Sequence, residues 1–483
     1  MTSPFDRREF LRLSSVAVVA GSGLLSGCRA PDEPEIPSTC GQDSGDSGEA
    51  LSLDPLLVPV DEAVFTLPPQ AGAMRSDSVL LWGFAQGLER IELKVWRGAN
   101  EQRLLIVERQ IDLVDGYAKV DLQGLSAGFW YDYAWFTSDD DGLASRSAAG
   151  RFRTAFAPGC AEPIKVVATA CTHHRYAPFR SLELMAAEQP DLFLQLGDMS
   201  YNDGARSQAD YRQRWHQAIG DPGYRALLPA CGMYATWDDH EIVDSGTYYQ
   251  TGATRRRIAT EAWFETIAVP RLGGDRFWDS YSWGDTAEFF VLDCRSERQP
   301  ATRREPDAIY LSRAQMDWLK EALKASQSVW KVIANSVPMT NWPPAMIVAD
   351  DRWEGYQAQR QELLDFIASE GIQGVLVIGG DFHCGGVSRL EPEGPSANIF
   401  EILVGPGANG GNPMGYLFQE GSEAERSRIF GEGQFAFLHH GMSTTTLDFD
   451  AQAKSVHVRF KDPENEALRF AATIFTDGRI ENG

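Results

Sequence analysis

From Leu51 to Thr154 the apolar positions fall in short, partly alternating runs. Ser78-Val-Leu-Leu-Trp82, Ile91-Glu-Leu-Lys-Val-Trp96 and Tyr131-Asp-Tyr-Ala-Trp-Phe136 are rich in aromatic and aliphatic residues. Alternation with a period of two marks strands that are buried on one face. Val114-Asp-Gly116 and the stretch from Asp139 to Gly142 supply turns between them. Short strands at regular spacing predict an immunoglobulin-like β-sandwich over residues 55–158. It holds no evident catalytic cluster.

At Ile164-Lys-Val-Val-Ala-Thr-Ala170 the pattern changes. Continuous apolar runs, the mark of strands buried on both faces, now alternate with amphipathic stretches. Phe179 to Glu188 and Leu311 to Ala325 read as helices; Leu192–Leu196, Val329–Ala334 and Val375–Ile378 read as buried strands. This alternation predicts an α/β domain over 163–483. A β-rich tail, Thr444 to Phe449 and Ser455 to Phe460, completes a second sheet. Gly405-Pro-Gly-Ala-Asn-Gly-Gly411 fits no phosphate-binding template and reads as a mobile loop near the site. His439-His440 reads as a loop within reach of it, and Trp237, Trp263 and Trp278 read as core.

The N-terminus adds a location. Arg7-Arg8 precedes an apolar, small-residue stretch ending in Leu25-Ser-Gly-Cys28. That pattern predicts a twin-arginine export signal with a lipobox over 1–28, and a membrane anchor through lipid on Cys28, on the periplasmic or cell-surface side. Residues 29–54, rich in Pro, Gly, Ser and acids, predict a flexible acidic linker. Export permits disulfides, but the cysteine spacings define no framework, and a Cys40–Cys160 pair has no support from spacing alone. Composition is ordinary for a globular chain of 483 residues. The charge is not: 44 basic against 68 acidic residues give −24, which argues against nucleic acid as a partner. An anionic substrate then needs local positive charge, which bound cations provide.

Three strand ends carry the candidate chemistry. Leu192-Phe-Leu-Gln-Leu-Gly-Asp198 delivers a carboxylate to the C-terminal edge of a parallel strand, with Tyr201 three residues on. That edge is where open α/β sheets place ligands. Trp237-Asp238-Asp239-His240-Glu241 follows a second strand, and Gly379-Gly-Asp381-Phe-His383 a third. Together they suggest a multi-ligand metal centre, and hydrolysis of phosphate esters by a metal-activated water. Asp198 suits a bridging ligand. Asp239 and Asp381 are hard oxygen ligands, and His383 is a borderline one. His240 lies where it can protonate a leaving alkoxide.

These clusters, in this order, resemble the PhoD-type alkaline phosphatases and phosphodiesterases of the calcineurin-like metallophosphoesterases. The matching features are Gly150-Arg-Phe-Arg-Thr154, Thr169-Ala-Cys171, Gly197-Asp198-x-x-Tyr201, Thr236-Trp-Asp-Asp-His-Glu241 and Gly380-Asp381-x-His383. The resemblance implies a four-layer αββα core behind the β-sandwich. It also implies an Fe3+ and Ca2+ centre, although affinity order alone does not choose between iron, zinc and manganese, and magnesium also suits the hard side. It implies metal ligation by Cys171, Asp198, Tyr201, Asp239, Asp381 and His383, and catalysis by His240 with Asp239. His173 competes with Tyr201 for one coordination position, Asp238 is a ligand or a supporting carboxylate, and Asn335 is a candidate amide-oxygen ligand. A phospholipase-type diesterase on the same scaffold and a non-catalytic envelope lipoprotein that binds metal are the alternatives.

Overall fold

The computed structural model describes residue 40 and residues 48–51, 54–98, 103–140, 142–243, 248–274, 276–342, 352–430 and 432–483. The expected export signal, the lipidation site Cys28 and most of the acidic linker lie outside those residues. Among the described residues no helix is long and apolar enough to cross a membrane.

Two sheets stand face to face and set the geometry of everything that follows. In the first, Ile164–Thr172, Leu192–Leu196 and Gly232–Thr236 run parallel. The antiparallel tail Thr444–Asp450, Ser455–Lys461 and Leu468–Phe475 extends it on one side. In the second, Ala287–Val291, Trp330–Ala334, Val375–Gly379 and Phe400–Leu403 run parallel. Because side chains alternate along a strand, each strand has an inner and an outer set. Val166, Ala168, Leu192 and Leu194 meet Phe289, Val332, Leu376 and Ile378 in one core between the sheets. Val167, Phe193 and Met233 face outward onto the helices Arg180–Ala187, Gln208–Ile219 and Ala253–Thr266. Phe290, Ile333 and Val377 do the same against Arg313–Ala325 and Gln357–Ser369. The order of layers is helix, sheet, sheet, helix.

The N-terminal β-region differs from the expected free-standing sandwich. Leu104–Asp112, Arg90–Arg97 and Trp130–Asp139 form a sheet of their own with their neighbours. Its partner layer, Gln70–Gly72, Ser78–Phe84 and Tyr117–Gln123, belongs to the first α/β sheet, joined where Gly72 pairs with Met233. Apolar residues of both regions, such as Leu93, Trp135 and Val166, belong to one core. Cys40 and Cys160 form a disulfide, tying the acidic segment to the start of the α/β region. The 405–411 segment is also more ordered than expected. Pro406–Ala408 pairs as a parallel strand with the end of Ile164–Thr172.

Candidate functional site

Both sheets deliver their strand ends to one edge, and the chain must turn sharply there. Cys171, Asp198, Asp381 and His383 all have left-handed backbone, with φ of 57°, 55°, 60° and 52°. Each such conformation costs roughly 1–3 kcal/mol in a residue with a side chain, and clusters of them persist where function requires the geometry. The sheets approach so closely that a Cβ on Gly380 would stand 2.5 Å from the Leu196 carbonyl oxygen. The turns are held by Glu241, which is buried. Its carboxylate accepts the backbone N–H of Asp198, Met199 and Asp238, locking two strand ends together.

The ligating atoms of Cys171, Asp198 and His383 lie within 4.8 Å of one another. So do those of Asp198, Asp239 and His240, and those of Asp238, Asp239 and Asp381. Asp198 belongs to two groups and stands between them. Tyr201 joins the first side, its hydroxyl donating to Asp198 Oδ2 at 3.0 Å. The amide of Asn409 donates to that phenol oxygen at 2.6 Å and lies 3.4 Å from His383 Nε2.

The electrostatics of these groups fit a cation. Burial pushes the Cys171 thiol well above its ordinary range, and Asp198, Asp381 and Asp238 push it further. Burial likewise raises the Asp198 carboxyl, with Asp239 and Asp238 adding to the effect and His240 opposing it. The Tyr201 phenol is raised by burial and by Asp198. Many acids packed together and all driven towards their neutral forms are stable as anions only around positive charge. His383 is held neutral, its pKa lowered to about 4 by burial and by His240, which is the form that binds a metal.

His240 is different. Burial lowers its pKa, but Asp198, the Asp203 hydrogen bond and Asp239 outweigh that and raise it to about 11. Its Nδ1 sits 2.7 Å from Asp203 Oδ1, and its ring lies against Tyr201 with centroids 4.1 Å apart. His173 packs on the other side of Tyr201 at 4.3 Å. Its Nδ1 accepts the Arg175 N–H, and its pKa is lowered to about 4, chiefly by burial and His174. Tyr201 therefore touches the shared carboxylate, while His173 touches Tyr201.

Asp238 and Asn335 are placed differently from each other. Both Asp238 oxygens are engaged. Oδ1 accepts from Arg295 Nε at 2.5 Å and from Ser336 at 2.7 Å, and Oδ2 accepts from the Arg295 Nη2 at 2.7 Å. Asp238 also belongs to the candidate ligand group with Asp239 and Asp381. The Asn335 amide is hydrogen-bonded to its neighbours: Oδ1 accepts from Trp353 and Nδ2 donates to the Ile378 carbonyl. His439-His440 is no loop but the end of the strand Phe435–His440, paired with Cys384–Arg389. Trp237, Trp263 and Trp278 are buried, as expected of core.

Sequence reasoning missed Arg295, Asp203 and Asn409. Asp203 was in plain view, two residues beyond Tyr201 in a motif already singled out. Arg295 gave only the weak signal of a basic residue just past an apolar strand, in Leu292-Asp-Cys-Arg295.

Comparison with known proteins supplies a family and a fold. Residues 166–460 match the family model described as PhoD-like phosphatase. The chain is 27% identical over 413 residues to alkaline phosphatase D of Bacillus subtilis (strain 168), covering 72% of this chain and 70% of that protein. A solved structure of PhoD superposes with a TM-score of 0.75 at 21% identity, covering 87% of this chain and 92% of that one. The purple acid phosphatase PPD1 from yellow lupin (Lupinus luteus) seeds superposes with a TM-score of 0.59 at 12% identity, over 85% and 75%. These two structures are alike in fold.

Proposed function

The chain belongs to the PhoD-like phosphatase family and is a phosphoric ester hydrolase, and from that premise we propose that it is an exported, metal-dependent enzyme. Asp198 shared between two ligand groups carries this reading. Cys171, Tyr201, His383 and Asp198 would hold an iron-type ion, since thiolate, phenolate and imidazole suit a softer or ferric centre. Asp239 and Asp381, with Asp198, would hold a hard ion such as Ca2+. Metal bound there supplies neutralisation of the phosphoryl oxygens and an activated water.

The chain's own residues do the rest. Asp203 fixes the His240 imidazole through Nδ1, which leaves Nε2–H to protonate the departing alkoxide oxygen. Glu241 holds Asp198 and Asp238 in register, and Asn409 holds the Tyr201 oxygen. The 55–158 region, read as immunoglobulin-like, would act as a scaffold that shares its core with the catalytic sheets. The Arg7-Arg8 segment and Cys28 support twin-arginine export and lipid anchoring on the far side of the membrane.

The test is hydrolysis of an aryl phosphodiester and an aryl phosphomonoester by wild type and Asp198→Asn, both folded by circular dichroism. Turnover that falls by roughly a thousandfold or more in the variant is the expected result for loss of a shared ligand. A folded variant that retains turnover overturns the reading. The ratio of the two substrates then assigns mono- or diester preference.

A further inference from the structure

Arg295 sits inside the carboxylate side of the centre with no exposure to solvent. It forms a two-point pair with Asp238, and its Nη2 lies 3.8 Å from Asp239 Oδ1 and 3.6 Å from Asp381 Oδ1. One guanidinium therefore stands at ion-pair distance from three carboxylates, each a member of the same ligand group. The turn that carries it is fixed: Asp293 accepts the backbone N–H of Arg295 and Ser296 and the indole N–H of Trp237. Arg295 is too buried and too fully engaged with Asp238 to serve as a hand for substrate phosphate. On the other side of the centre the charged neighbour of Asp198 is an imidazole, His240, and not a guanidinium. Among the described residues, no lysine or arginine forms an ion pair with Asp198.

We propose that Arg295 is a permanent cation of the carboxylate side, a positioning residue that keeps Asp238, Asp239 and Asp381 assembled without a metal and makes the ion there exchangeable. This rests on the metal-dependent reading above. The chemistry is charge counting. Apart from the shared Asp198, three carboxylates and one guanidinium leave that side two negative charges in excess. Removing the guanidinium leaves three, and removing the Asp238 charge leaves one. Removing both restores two.

The experiment uses the full exported protein, dialysed against chelator and then titrated calorimetrically with Ca2+. Wild type is compared with Arg295→Gln, Asp238→Asn and the double variant. Arg295→Gln should bind Ca2+ about tenfold or more tightly, because a like charge beside the ion is gone. Asp238→Asn should bind about tenfold or more weakly, and the double variant should return close to wild type. Arg295→Gln should also melt earlier than wild type in chelator and recover with Ca2+. A guanidinium that merely packs would give the opposite first result, weaker binding in Arg295→Gln. Equal or weaker binding there, or a double variant that fails to restore wild-type affinity, overturns the proposal. If Arg295→Gln does not fold, the pair of Asp238→Asn and the double variant decides it alone. Wild type that binds no divalent ion and turns over no ester overturns the metal-dependent reading, and this proposal with it.

Discussion

The two sides of the centre solve the same problem in opposite ways. On one side Cys171, Tyr201, His383 and Asp198 bring soft or aromatic donors together in a buried place, and burial drives the thiol, phenol and carboxyl towards their neutral forms. His240 opposes that at Asp198 alone, so a bound ion would be needed to hold the thiol and the phenol as anions. On the other side three carboxylates face one another across the sheet edge, and Arg295 is already among them. The first side needs its ion to be complete. The second is held together by a guanidinium, and its ion is an addition. Removing one charge from a buried pair is far more costly than never having built it, so the two sides should respond differently to chelation and to mutation.

The largest effect should come from Asp198, the residue both sides share. Asp198→Asn breaks the comparison by disabling both at once, and no added ion should restore its turnover. Next comes a paired test that sharpens it. Cys171→Ser should lose the tightly held ion, read by elemental analysis, and drop turnover by roughly a hundredfold, without rescue by Ca2+. Asp381→Asn should lose a similar amount at low Ca2+ yet recover most of it as Ca2+ is raised. Recovery of Cys171→Ser by Ca2+ would mean the two sides are equivalent.

His240 stands over the junction. His240→Asn should lower kcat by roughly a hundredfold to ten-thousandfold, with both ions retained. Asp203→Asn should cost less, about tenfold, because it loosens the ring and removes one of several acids that keep it protonated, while the imidazole itself remains. An equal loss in both would mean that Asp203 does more than hold the imidazole. The smallest effect on chemistry and the clearest on stability belongs to Glu241. Glu241→Gln sets an amide NH2 against backbone donors that now share two carboxylate oxygens, at a cost of about 2 kcal/mol. Thermal unfolding of the metal-free protein reads it directly.

Much of this was legible in the chain. One buried strand ending in Asp can be a mere helix cap, but three such ends with histidines are not, and the edge at which Asp198, Asp239, Asp381 and His383 gather follows from strand direction. Tyr201 at three residues from Asp198 was within reach of the same point. What escaped depends on contacts between distant segments. Arg295 looks like a solvated turn residue until Asp238, from the opposite sheet, is placed beside it. Asn335 stands at a strand end, and only the fold shows that Trp353, from a segment downstream, donates to its amide oxygen. The continuity of the front sandwich with the catalytic sheet passes through Gln70–Gly72, three residues long, too short for any periodicity to mark. The Gly405–Gly411 segment read as a loop for the same reason, and its Pro406–Ala408 strand is fixed by pairing rather than by pattern.

The most direct test of the asymmetry is anomalous X-ray diffraction from crystals of the exported protein, recorded at the iron edge and at long wavelength for calcium, before and after a chelator soak. The account predicts two peaks before the soak. Afterwards only the peak among Cys171, Asp198, Tyr201 and His383 remains, with Asp238, Asp239, Asp381 and Arg295 unmoved. Loss of the peak beside Cys171 while the carboxylate-side peak survives, or collapse of the three carboxylates once their ion leaves, would contradict it.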